Sequence, residues 1–380
     1  MSKKIWQLPW QGEMVPHAVL DVIRGCNIRC RRCFNIDQPL TPKPLKQIEE
    51  ELDTLLRLRR LSSVTILGGE VTLHPQLEDI VRLVKGRGLH SELFTNGLDI
   101  DPSACRRLKD AGLSIICFHI EKGQQRADLA DSSSAEEVAR LRYKKTIMAS
   151  QTGLDVGLSV TSFPGERDAL RDVISFVLKT PEISYVLVTL FRDHSNIKSL
   201  SGNLHSGFSG TGAPPDPSTK QSNRDIADWM KAEFNVEPFA CMGSNLDMDD
   251  PRWLSYLIGA LHHTDGTSSF EYLQPSLLEK AMMLAYRVRG RYPMYMEPNT
   301  ERFRKQLVLN GLLGGRRQPN MTLAKRSKEP GVQLKAKRLL FQNPAEMTED
   351  GKMLHCKWCP DTVLKNGGLV PVCMADHVTG

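Results

Sequence analysis

Three cysteines stand close together near the start of the chain: Cys26, Cys30 and Cys33, spaced C-x3-C-x2-C. As thiolates on so short a loop they can wrap one face of a cubane iron–sulfur cluster and leave its fourth iron open to a ligand. A structural zinc site or a closed ferredoxin cluster needs a fourth protein donor, and none stands nearby in sequence. A second set lies toward the other end, His355-Cys356-Lys357-Trp358-Cys359 followed by Cys373. Cys356 and Cys359 form a chelating hook, and Gly367-Gly368 can turn the chain so that Cys373 meets it. His355, Asp376, His377 and Cys241 are the candidate fourth donors, as is a substrate atom on an open iron. A second [4Fe–4S] cluster is the preferred reading of this set, ahead of structural zinc or no metal.

The chain has nine cysteines, an odd number gathered mostly at its two ends, which is unlike a disulfide framework. Cys105 falls in an expected helix and Cys117 in an expected strand, and both read as small buried hydrophobes. With 380 residues, 40% of them apolar and 25% charged, the chain can bury a substantial core. The net charge of +6 is mild and does not argue for nucleic acid. No apolar run is long enough to span a bilayer, and the first residues show no signal-peptide pattern, so a cytoplasmic location is expected.

The elements that position these cysteines follow from periodicity. Buried strands are expected at 18–23, 63–67, 92–95, 114–120, 155–161 and 184–190. Amphipathic helices are expected between them at 44–60, 74–85, 102–111, 135–150 and 167–179. Such alternation implies a parallel sheet with right-handed crossovers, here a partial (β/α)6 TIM-like barrel. The first cysteine loop, Gly68-Gly69-Glu70 and Asn96-Gly97 all fall at the C-terminal ends of strands, where such folds place their chemistry. The expected divisions are an N-terminal segment (1–16), the core (17–195), a loop or lid (196–222), a mainly helical region (223–345) and a small metal-binding extension (346–380). Helices in the fourth part are expected at 223–234, 251–262, 275–288 and 300–313. The basic run 316–338 reads as a solvated surface loop, or as a contact for phosphate.

Together, Cys26-Asn-Ile-Arg-Cys30-Arg-Arg-Cys33-Phe34 after the first strand and Gly68-Gly69-Glu70 after the second resemble the signatures of the radical S-adenosylmethionine (SAM) superfamily. The resemblance implies that Cys26, Cys30 and Cys33 hold a [4Fe–4S] cluster whose fourth iron SAM chelates. It implies that Gly68, Gly69 and Glu70 meet the methionine end of SAM. Asn96, Glu121 and Ser159 are further candidate SAM contacts, and Thr161 and Arg192 can line the pocket. The run Gly68 to Pro75 and His119-Ile120-Glu121-x-Gly123-Gln124-x-Arg126 are similar to a branch with methanopterin-type methylases and tetraether-lipid synthases. That likeness implies C–H functionalisation of a lipid-like or small phosphorylated molecule. An apolar channel would then be built by Trp253, Leu254, Leu257, Ile258 and Leu261, with Met282, Met283, Met294 and Met296. An electron donor such as flavodoxin or ferredoxin is implied. The competing readings are a peptide-modifying maturase and a non-catalytic iron–sulfur sensor or scaffold.

Overall fold

The computed structural model describes residues 5–30, 33, 38–192, 221–290 and 300–375. Phe34, residues 196–220 of the expected loop at 196–222, Met294, Met296, Asp376 and His377 lie outside the described residues. Six strands alternate with five helices: β1 (His17–Ile23), α1 (Leu45–Leu58), β2 (Ser63–Gly68), α2 (Leu77–Gly86), β3 (His90–Thr95), α3 (Pro102–Ala111), β4 (Ile115–His119), α4 (Ala135–Ser150), β5 (Asp155–Ser162), α5 (Arg167–Lys179) and β6 (Ile183–Leu190). All six strands pair in parallel and in chain order. Their helices bury apolar stripes such as Ile48, Leu52 and Leu55 of α1 against the sheet. Helix starts follow local chemistry. Asp101 caps α3 by accepting from Ala104 N at 2.6 Å, and Ser134 forms a capping box with Glu137 at α4. The expected six-unit partial barrel is the observed core.

The second half contains α6 (Asn223–Phe234), β7 (Ala240–Gly243), β8 (Pro251–His263), β9 (Ser268–Tyr272), α7 (Leu277–Arg289), α8 (Thr300–Leu312), α9 (Arg317–Arg326), β10 (Val332–Gln342), β11 (Glu346–Met347), β12 (Met353–Leu354), β13 (Thr362–Lys365) and β14 (Gly368–Pro371). The helix expected at 251–262 is instead strand β8. Twelve of its thirteen residues are buried, because β10 and β7 flank it and both its faces are covered. Periodicity does not separate such a run from a buried helix. The expected basic loop at 316–338 is α9 followed by β10, which pairs in parallel with β6 and antiparallel with β8. The mainly helical region therefore continues the sheet as well, and ten strands share one sheet.

A lysine lies inside that extension. Lys337 of β10 is fully buried, and its ammonium donates to the backbone carbonyls of Thr180 and Ile183. Burial, reinforced by Lys335, pushes it down to about 7. A depressed lysine favours the neutral form in the fold, so its contribution to stability falls away as pH drops through 7. That contribution is fully present only above the unfolded lysine value of about 10.4. Urea midpoints should rise from pH 7 to pH 9, and Lys337→Met should flatten that slope.

Segments near both ends of the described chain pack against the edge strands β7 and β1. Residues 6–8 run alongside β7, with Cys241 N donating to Trp6 O and Leu8 N to Cys241 O, both at 2.9 Å. The β13–β14 hairpin packs Val363 with Val19 of β1 and Ala375. Among the described residues, no helix is long and apolar enough to cross a membrane.

Candidate active site

A cavity of about 910 Å³ runs through the barrel. Cys26, Cys30 and Cys33 line it, as do Gly68, Gly69, Asn96, Glu121, Ser159, Thr161 and Arg192. Cys356, Cys359 and Cys373 line the same cavity. The first loop is held by Arg29 N donating to Gln124 O (3.1 Å) and by a bridge between Ile23 and Pro42. Burial pushes the Cys30 thiol up, and Cys33, Cys26 and Glu121 push it further. Three thiols and a carboxylate that resist sharing negative charge are a donor set suited to a thiophilic cationic centre. Among the described residues, no three His, Cys, Asp or Glu side chains converge to ion-binding distance. Each cysteine set thus borders the one cavity without all three of its sulfurs converging.

Gly68 and Gly69 let β2 pass close under the end of β1. A Cβ on Gly68 would overlap the Ile23 carbonyl, and one on Gly69 the carbonyls of Gly25 and Arg24. Glu70 turns away from the cavity into the protein. Its Oε1 accepts from Thr72 N (3.0 Å), Thr72 Oγ1 (2.7 Å) and Thr95 Oγ1 (2.6 Å), and its Oε2 from Asn96 N (2.7 Å). The carboxylate thus ties the ends of β2 and β3 together. Asn96 passes the link onward: its Nδ2 donates to Asn27 Oδ1 at 2.7 Å and lies 3.9 Å from Cys26 Sγ. Arg126 donates to Asn96 O (3.0 Å) from behind while pairing with Asp128.

On the opposite wall, Glu121 Oε1 accepts from Thr161 N, and its Oε2 lies 3.8 Å from His119 Nε2. The His119 ring is anchored by Nδ1 to Ser159 O at 3.0 Å. Arg192 is already engaged. It donates to Gln221 O (2.6 Å) and Asn343 Oδ1 (2.7 Å), and its Nε lies 3.3 Å from Glu346 Oε2. Glu346 Oε1 also accepts from Arg252 at 2.7 Å, so one carboxylate joins two buried guanidinium groups.

Segment 355–357 runs beside the end of β7, with Lys357 N donating to Gly243 O (3.1 Å) and Asn245 N to His355 O (2.9 Å). Cys356 packs with Met242, Trp253 and Leu340, and shares a hydrogen bond with Cys359. Burial pushes Cys373 up to about 12, and Ala345 N donates to its sulfur at 3.3 Å. The candidate donor Cys241 packs into the main core, on the opposite side of β7 from Met242 and Cys356. His355 Nδ1 meets Cys356 O at 2.8 Å. Cys105 and Cys117 are fully buried, as expected.

Sequence reasoning missed a polar group near the N-terminal ends of the strands. Arg338 of β10 donates to Glu92 of β3 at 2.9 Å and stacks 4.5 Å over the Tyr185 ring. His17 bonds Ser63 (2.7 Å) and Thr65 (3.1 Å) and lies 3.8 Å from Asp361. Arg59 clasps the extension through the carbonyls of Cys359 (2.9 Å) and Pro360 (3.3 Å). A lone acid inside an apolar strand, Glu92, was the available signal. Of the expected apolar channel, Trp253 and Leu257 line the cavity, while Leu254, Ile258 and Leu261 pack into cores and Met282 and Met283 are buried.

Residues 20–177 match the Radical SAM superfamily. The Fe-coproporphyrin III synthase of Methanosarcina barkeri is 25% identical over 156 residues, 40% of this chain and 39% of that protein. An S-adenosylmethionine-dependent nucleotide dehydratase of a Thermoplasmatales archaeon is 28% identical over 175 residues, 43% and 57% of the two chains. SuiB of Streptococcus suis bound to S-adenosylmethionine superposes with a TM-score of 0.43 at 14% identity, covering 58% of this chain and 48% of that one. The chain thus spans about two fifths to three fifths of the length of these curated relatives. The matched span holds the cysteine loop, Gly68-Gly69 and strands β2 to β5, so this part of the chain carries a radical SAM domain.

Proposed function

We propose that this protein cleaves SAM reductively and uses the resulting radical on a substrate held inside the barrel, with a second iron–sulfur cluster beside it. The carrying observation is that Cys26, Cys30 and Cys33 and Cys356, Cys359 and Cys373 border one cavity. When bound, a [4Fe–4S] cluster and SAM supply a 5′-deoxyadenosyl radical after one electron arrives from a donor such as flavodoxin or ferredoxin. Cys26, Cys30 and Cys33 hold that cluster. Gly68 and Gly69 leave room for SAM at the end of β2, and Asn96, Glu121 and Ser159 contact it. Glu70 acts from behind as a positioning residue, fixing Asn96 and through it the Cys26 loop. The barrel walls exclude water around the reacting atoms.

Cys356, Cys359 and Cys373 hold the second cluster. Trp253, Leu257 and Tyr185 give the substrate chamber an apolar lining, with Glu92, Arg338, His17 and Asp361 as its polar end. This chamber suits a lipid-like or small phosphorylated substrate that undergoes C–H functionalisation. Anaerobic reconstitution followed by iron and sulfide analysis tests the two sites separately. The wild type should hold roughly eight irons, and the Cys356→Ala, Cys359→Ala variant roughly four. An iron content unchanged by that double substitution would remove the second cluster from this reading.

A further inference from the structure

Helices α7, α8 and α9 form a layer over β8–β10, burying Met282, Phe303, Leu307 and Leu323 against Leu257 and Leu261. A surface helix of this kind needs only one apolar face, yet these helices carry apolar side chains on the outside too. Seven of the eleven exposed large hydrophobic side chains among the described residues fall between Leu277 and Met321. Leu277, Leu284 and Val288 repeat at intervals of seven and four, which sets them on one outer stripe of α7. Leu284 is 63% exposed and Val288 78%. Leu277 N donates to Leu313 O at 3.0 Å, bringing that stripe against the end of α8, where Leu309, Leu312 and Leu313 are also exposed.

Charge on these helices is predominantly positive. The three helices expose seven lysines and arginines, among them Lys280, Arg287, Arg289 and Lys325, against a single exposed acid, Glu301. A second copy of the chain would bring two such positive faces together, which disfavours self-association. The exposed apolar groups are aliphatic, with no tryptophan or tyrosine among them, whereas protein interfaces concentrate their affinity in aromatic anchors. Aliphatic side chains framed by lysine and arginine are the composition that seats a helix in an anionic lipid–water interface.

We infer that the outer face of α7–α9 docks this protein on an anionic membrane surface. Tyr286 of α7 bonds the backbone of Arg60, between α1 and β2, which places the face toward the N-terminal ends of the strands. Docking there leaves the cysteine loop at the C-terminal ends clear of the bilayer. The inference stands on its own observations and does not depend on the reaction proposed above.

The test is co-sedimentation of the full reconstituted protein with phosphatidylcholine vesicles, with and without about one-third phosphatidylglycerol. Partitioning should favour the anionic vesicles at least about tenfold and weaken as salt rises. Leu284→Glu with Val288→Glu, and separately Arg287→Glu with Arg289→Glu, should each lower it about tenfold while leaving SAM cleavage unchanged. Absence of vesicle binding, equal binding to both vesicle types, or variants that bind like the wild type would overturn the inference. So would a wild-type dimer that the Leu284→Glu, Val288→Glu variant dissolves, since a second copy would then cover the face.

Discussion

Replacing Glu70 by Gln will cost about 2–4 kcal/mol of stability and weaken SAM cleavage on the order of 100-fold. Each carboxylate oxygen of Glu70 accepts from a peptide N–H, Oε1 from Thr72 and Oε2 from Asn96. A glutamine must aim its NH2 at one of them, whichever way its amide is turned. The threonine hydroxyls can rotate away from such a clash, but the peptide N–H groups cannot. The group is buried, so water does not fill in for the missing acceptor. Asn96 would shift, and with it the bonds to Asn27 and the contact with Cys26. Thermal unfolding and SAM titration of the reconstituted protein measure the two effects. Iron content should change far less than SAM affinity, because the cysteines remain in place.

The second large effect is expected at Glu346. This carboxylate sits between Arg192 and Arg252, whose side chains are only 6% and 2% exposed. Glu346→Ala removes the carboxylate shared by two buried guanidinium groups and leaves Arg252 with Asp250 at 3.9 Å, a loss of about 3–5 kcal/mol. Glu346 also begins the β11–β12 hairpin that leads to Cys356, and Ala345 beside it bonds Cys373. The variant should therefore lose iron from the C-terminal site before it unfolds. Denaturant unfolding and iron analysis along the same titration would show the order. Glu346→Gln, which keeps a hydrogen-bond acceptor, should be milder on both counts.

The first half of the fold was legible because its strands are short, mainly apolar segments alternating with helices, most of which carry an apolar stripe of period 3.6. The second half broke that pattern in two ways. In β8, Trp253, Leu254, Leu257, Ile258 and Leu261 match a helical stripe, while the residues between them are buried just as deeply. In β10, Lys335, Lys337 and Arg338 interrupt the apolar run, and a strand with a buried ammonium and a buried ion pair reads from sequence as a solvated loop. Within the site, the cysteines and Gly68-Gly69 stood out because their spacing serves one chemistry. The roles of Glu70 and Arg192 were not legible. A carboxylate and a guanidinium look ready for a ligand until the donors and acceptors brought by β3, β10 and β11 are seen around them. The Arg338–Glu92 pair joins residues 246 positions apart, so no local pattern announces it.

The most direct measurement is formation of 5′-deoxyadenosine from SAM by the anaerobically reconstituted protein under a strong reductant, compared with its Cys30→Ala variant. The account predicts release of 5′-deoxyadenosine by the wild type and none above background by the variant. Equal yields from both proteins, or none from a wild type that carries its iron, would contradict it.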